Sequence, residues 1–301
     1  MEKSLTKEFI KEELMKLQDR ICSRLEALDG KANFHQDLWE RAEGGGGRTR
    51  IIQDGNVLEK GGVNFSAVHG PVSEMMKKQL KLNGTEFFAT GVSIVLHPHS
   101  PHIPIMHMNV RYFELDTGEH WFGGGIDMTP HYIIPSQAKM FHQDLKDICD
   151  KYDSTFYPEY KKWADEYFFI PHRNETRGVG GIFYDHIKTN SIEEKQKMFD
   201  FAIDLGDVFA KLYSDQYELG KNIAVSDSDL LWRNLRRGRY VEFNLVHDRG
   251  TQFGLKTGGR IESILMSLPK MAGWEYDFQV EKDSREEYTL SLLNKGVDWL
   301  K

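Results

Sequence analysis

Residues 97–111 read His-Pro-His-Ser-Pro-His-Ile-Pro-Ile-Met-His-Met-Asn-Val-Arg, so four of the chain's twelve histidines and an arginine fall in one short stretch. An imidazole can move a proton near neutral pH, donate to a carboxylate or bind a metal, and a guanidinium offers a planar fork to carboxylates. The second half of the stretch alternates with period two. Ile105, His107, Asn109, Arg111 and Phe113 share one face of a strand, and Met106, Met108, Val110 and Tyr112 share the other. The apolar face suits a core. The opposite face lines up an imidazole, an amide and a guanidinium, which is the layout of a site.

Glycines cluster at 44–47, 123–125, 178–181 and 258–259, and three of these clusters have arginines beside them, namely Arg48 and Arg50, Arg177, and Arg260. None completes a nucleotide-binding fingerprint, and each cluster taken alone reads as a turn or flexible loop. Together they read differently, because glycine lets a ligand approach the backbone and arginine pairs with carboxylates, as a polycarboxylate pocket requires. Arg111 and Arg260 are the leading carboxylate binders. Arg173 and Arg249 join the pool, while the run Arg233 to Arg239 reads mostly as solvated surface charge. Asp127, after the triple glycine, and Asp248 read equally as turn caps or as acceptors for N–H groups of a bound ring. Asp127 is the stronger candidate, since no adjacent arginine needs it.

A metal is the other use of the histidines. His97-Pro98-His99 is not the His-x-Asp/Glu of a facial-triad iron site, so metal binding by His97, His107, His142 and His172 stays an alternative to proton transfer at His107.

The supporting elements are legible in part. Residues 5–28 carry an apolar stripe at three- and four-residue steps that ends at Gly30, a long amphipathic helix. Strands are predicted at 91–97, 105–114, 120–128 and 239–247, and helices at 136–149, 156–169 and 191–213, near 263 and over 284–299. Short links make neighbouring strands antiparallel. No break in composition divides the chain, which predicts one domain over 1–301, α+β, with an antiparallel sheet covered by helices.

Composition narrows the classes. The 301 residues are 40% hydrophobic and 28% charged, with net charge -7, which disfavours a general nucleic-acid surface. Cys22 and Cys149 can form neither a disulfide framework nor a four-cysteine cluster. With no membrane-length apolar run and no leader-like start, the expected setting is cytoplasmic.

Taken in order along the chain, the motifs resemble the oxygen-dependent coproporphyrinogen III oxidase family. They are Gly44–Arg50, Gly62–Ser66, Gly91–Ser93, His97–Arg111, Trp121–Asp127, Tyr160–Trp163, His172–Gly178, Arg237–Asn244, Asp248–Thr251 and Arg260–Ser267. The resemblance implies a large flat antiparallel sheet between helical layers and a homodimer with its contact around 240–275. It implies oxidative decarboxylation of two propionates of coproporphyrinogen III to vinyls, yielding protoporphyrinogen IX, CO2 and H2O2, with O2 as co-substrate and no required cofactor. Catalytic positions would be His107, as proton donor, with Asp127, Asp248 and Arg249; substrate would meet Ser93, Asn109, Val110, Arg111, Gly258, Gly259 and Arg260. A divalent metal, if bound, would use His97, His107, His142 and His172. Ile105 departs from the family's usual threonine and removes a hydroxyl from the face of His107. A metal-dependent oxygenase built on His97 and His107 and a non-catalytic tetrapyrrole carrier are the competing readings.

Overall fold

The structure, a computed structural model, describes residues 5–256 and 258–301. Chain order is α1 (Lys7–Asp29), β1 (His35–Glu40), β2 (Gly45–Gln53), β3 (Leu58–Pro71), α2 (Glu74–Leu80), β4 (Glu86–Pro98), β5 (Ile105–Leu115) and β6 (His120–Thr129). Then follow α3 (Pro135–Tyr152), α4 (Phe156–Tyr167), β7 (Phe169–Ile170), β8 (Glu175–Thr176), β9 (Gly180–Lys188), α5 (Ile192–Gly220) and α6 (Asp227–Glu242). A single π-helical turn over Phe243–His247 leads into α7 (Arg249–Lys256), α8 (Ile261–Leu265) and α9 (Arg285–Ser291).

Seven strands form one antiparallel sheet in the order β1-β2-β3-β4-β5-β6-β9, so the expected α+β architecture is present. One face is apolar. Val92, Ile94, Met108, Val110 and Ile126 on it are fully buried, and they pack under α1, α3 and α5 in the main core. The stripe of α1 supplies Leu17, Ile21 and Leu25, each 0% exposed, and burial of such a side chain stabilises by about 1.5–3 kcal/mol. Thr6 caps the start of α1 through the N–H of Phe9, and Gly30 ends it at φ 69°, a left-handed conformation that glycine adopts without strain.

Three expectations about elements fail, and three strands went unpredicted. Residues 239–247 are helical, because α6 starts from the Ser226 capping box and runs through Tyr240 into the π turn, and this burial every three or four residues outweighs the short alternation of Val241, Phe243 and Leu245. The last helix spans only Arg285–Ser291. Gly45 to Gly47 lie in β2 rather than in a loop, paired with β1 and β3. The strands β1 and β2, rich in glycine and charged residues, show no apolar alternation, whereas β3, where no strand was predicted, does alternate, with Val63, Phe65 and Ala67 buried and Asn64 and Ser66 half-buried.

Candidate active site

The second face of the sheet is a floor of glycine and small polar residues. Its cross-strand rows follow from the register: Gly47, Ser66, Gly91, Arg111 and Gly123 form one, and Thr49, Asn64, Ser93, Asn109, Gly125 and Phe183 the next. A third row runs Ile51, Gly62, Val95, His107, Asp127 and Gly181. Ser66, Ser93, Asn109 and Arg111 are only half-buried, whereas their neighbours on the other face are buried. Such a floor is flat, hydrogen-bonding and accessible.

The segment from α6 to Ser267 runs around its edge. Tyr240 packs on His97, Phe243 on Phe168, and Asp248 accepts from the Tyr167 hydroxyl at 2.8 Å. Phe253 joins Phe113 and Trp121, Arg260 pairs with Asp37 on β1, Ser263 meets Thr49 at 2.7 Å, and the Ser267 carbonyl meets His97 Nε2 at 2.8 Å. A rim closed in this way makes the floor a cleft.

At the deep side of the third row, His107 Nδ1 bonds Asp127 Oδ1 at 2.8 Å. The aspartate, 2% exposed, also accepts from Arg177 Nη2 at 2.8 and 2.7 Å. Arg177 is itself stacked among the rings of Phe168, Tyr240 and Phe243, its Cζ 4.4, 4.7 and 4.6 Å from their centroids. Burial works to raise the Asp127 carboxyl, but the Arg177 charge and the His107 bond outweigh it and hold the group below its ordinary range. An anionic Asp127 requires that His107 present Nδ1–H to it, which leaves Nε2 free for chemistry. No adjacent arginine meets Asp127, but one 50 residues away in sequence does.

The first row adds Arg111, whose Nη1 donates to Asn109 Oδ1 of the second row at 2.8 Å and whose Nη2 pairs with Asp185 at 2.9 Å. Ser93 stands beside Asn109 on β4. Val110 is on the same strand but its side chain points into the core, 0% exposed, so strand alternation denies that side chain to a ligand in the cleft. Asp248 caps α7 through the N–H and hydroxyl of Thr251 at 2.8 and 2.7 Å, the turn-capping role. Arg249 is exposed with its guanidinium 5.9 Å from the Tyr167 ring. Gly258, Gly259 and Arg260 form the rim beside β1, away from His107.

The histidines named for a metal do not converge. His97 is fully buried against Tyr240; His142 sits between the Tyr157 hydroxyl and the Val179 carbonyl, both at 3.0 Å; His172 lies between His247 and Glu242, both at 2.8 Å. Among the described residues no three His, Cys, Asp or Glu are grouped to hold an ion. Arg48 and Arg50 face α1, where both meet Asp19 at 2.8 Å, and Arg173 pairs with Glu242. Arg236 and Arg237 are not solvated: they are 3% and 0% exposed and pair with Glu175 and Glu59. Charge alone could not reveal these partners. Asp185 and Tyr167 gave no sequence signal, and Arg177 gave only its neighbouring glycine. Two surface hollows of about 430 and 580 Å³ flank Glu114 and Gly118, at the other end of β5 from His107.

An antiparallel sheet with helices packed on one face and, on the other, an accessible row of His107, Asn109 and Arg111 with the buried Asp127 behind the imidazole defines an α+β protein with a guanidinium and an oriented imidazole on one open surface. The sequence profile of coproporphyrinogen III oxidase matches residues 9–299, and the chain belongs to that family. It is 46% identical over 298 residues to the oxygen-dependent coproporphyrinogen-III oxidase, chloroplastic, of Glycine max, covering 94% of this chain and 77% of that protein. Coproporphyrinogen-III oxidase 1, chloroplastic, of Arabidopsis thaliana is 45% identical, with 94% and 76% covered. The oxygen-dependent coproporphyrinogen-III oxidase of Prochlorococcus marinus (strain MIT 9301) is 44% identical over 319 residues, with 98% and 93% covered.

Proposed function

We propose that the protein catalyses the oxygen-dependent oxidative decarboxylation of coproporphyrinogen III to protoporphyrinogen IX. Each of two propionates, with one O2, gives a vinyl group, CO2 and H2O2. The observation that carries the reading is the placement of His107, fixed by Asp127, on the same strand face as Asn109 and Arg111 over an accessible glycine-rich floor. Family membership supports the same substrate.

In this reading the macrocycle lies on the floor, where glycine and serine let it approach the backbone. Arg111 takes a propionate carboxylate in a bidentate or single contact, with Ser93 and Asn109 as donors beside it. Arg260, with Gly258 and Gly259, meets a second carboxylate at the rim. His107 moves the proton from Nε2 while Asp127, kept anionic by Arg177, stabilises the imidazolium. Asp248 and Arg249 close the cleft near Tyr167. The reduced tetrapyrrole is electron-rich, so it supplies electrons to O2 without a resident cofactor.

The protein acts as a single domain and as a homodimer through 240–275, a reading supported by Leu245, Val246, Met271 and Trp274, 44–57% exposed within that segment. The buried free thiols of Cys22 and Cys149 support a cytoplasmic setting. Among the described residues no helix is long and apolar enough to cross a membrane. His107→Ala is expected to keep binding of the tetrapyrrole and to lower turnover by about 10²–10⁴. Turnover within threefold of the original protein refutes the proton-transfer role.

A further inference from the structure

β9 is irregular where it passes β6. Phe122 pairs with Ile187 and Gly124 with Tyr184, so Asp185 and His186 together stand opposite Gly123. Two residues against one is a β-bulge, which re-aims side chains. His186 takes φ 52°, a left-handed conformation costly for a residue with a Cβ. Its ring stacks on Trp121 at 5.0 Å, extending the stack of Phe113 on Trp121 at 4.2 Å. Asp185 is thereby turned onto Arg111, at 2.9 Å, while Asn109 holds the other terminal nitrogen of the same guanidinium at 2.8 Å. Gly123 leaves the room for this: a Cβ there would lie 2.5 Å from Asp185 Oδ1 and 2.8 Å from Arg111 Nε. Backbone strain, a missing side chain and a carboxylate all serve the orientation of one guanidinium.

We propose that Asp185 is a positioning residue, held by the β9 bulge, that fixes Arg111 so that its remaining N–H donors face a substrate carboxylate. This rests on the reading of the cleft as a tetracarboxylate site. The side chain of Arg111 is 36% exposed, and without a clamp it would lose rotamer freedom on binding. Asp185 is no ligand for the substrate. Its own charge repels a carboxylate, and Arg111 masks that charge. Removing Arg111 therefore turns Asp185 from a support into an obstacle.

The test uses the full-length protein with two readouts: absorbance titration with coproporphyrin III, the oxidised and unreactive tetracarboxylate, and steady-state turnover of coproporphyrinogen III. Asp185→Ala is expected to raise Kd and KM by about 3- to 10-fold and to leave kcat within about twofold. In an Arg111→Ala background the sign reverses, and Arg111→Ala/Asp185→Ala binds more tightly than Arg111→Ala. Unchanged Kd in Asp185→Ala, or weaker binding in both backgrounds, overturns the proposal; the latter is what a structural defect would give. Binding with the sign reversal but no turnover by the original protein sinks the oxidase reading and leaves the positioning role. Turnover without the reversal sinks the positioning role alone, and a protein that binds no tetracarboxylate overturns both.

Discussion

Replacing Asp127 by asparagine leaves the Arg177 guanidinium buried without its counter-ion. The site cannot easily repair this: Arg177 is 2% exposed, three aromatic rings lie within 4.7 Å of its Cζ, and both of its bonds to side chains end on Asp127. Breaking a buried pair by removing one partner costs about 3–5 kcal/mol, so Asp127→Asn should lower the thermal midpoint by roughly 6–15 °C. Arg177→Met alone strands the aspartate, which burial then pushes toward its neutral form. The double variant removes both charges and should regain at least about 2 kcal/mol relative to Asp127→Asn, because two compensating losses in contact are not additive. The assay is thermal or urea unfolding of all four proteins at one concentration and pH. A loss below about 1 kcal/mol in Asp127→Asn, or a double variant whose loss is the sum of the singles, would refute the argument that Arg177 is held by Asp127.

Two further outcomes are expected. Burial holds His142 neutral and lowers its pKa to about 4, so between the unfolded value of about 6.5 and 4 the unfolded chain takes up a proton that the folded chain refuses. Its contribution is fully present above pH 6.5 and falls by about 1.4 kcal/mol per pH unit down to pH 4, about 3 kcal/mol in all; unfolding measured across this range should show a shallower acid limb in His142→Gln, and an identical limb would count against the neutral buried form. Gly123→Ala places a Cβ 2.5 Å from Asp185 Oδ1, and since side-chain ends can yield, the protein should fold while KM rises roughly tenfold, the equivalent of about 1.4 kcal/mol. A KM within twofold of the original would show that the Arg111 geometry does not depend on that gap.

What the sequence discloses here depends on how local the cause is. The polar row of β5 was legible because strand alternation alone puts His107, Asn109 and Arg111 on one face, and α1 because its stripe and its glycine stop are both local. The partners of those groups were not. Arg177 reaches Asp127 from 50 residues away, Asp185 reaches Arg111 through a bulge, and Arg237 finds Glu59 across 178 residues. The helical course of 239–247 was hidden because its short alternation of apolar residues imitates a strand, while the cap that commits it to helix lies at Ser226. The same charge that reads as solvated at Arg236 and Arg237 is buried once a carboxylate from another element meets it.

The central claim is tested most directly with chelator-treated protein, incubated with coproporphyrinogen III without oxygen and then exposed to O2, with the product oxidised and read as protoporphyrin fluorescence. The account predicts no product before oxygen and, after it, protoporphyrinogen IX together with two CO2 and two H2O2 per substrate. No product in air, or product formed without oxygen, would contradict it.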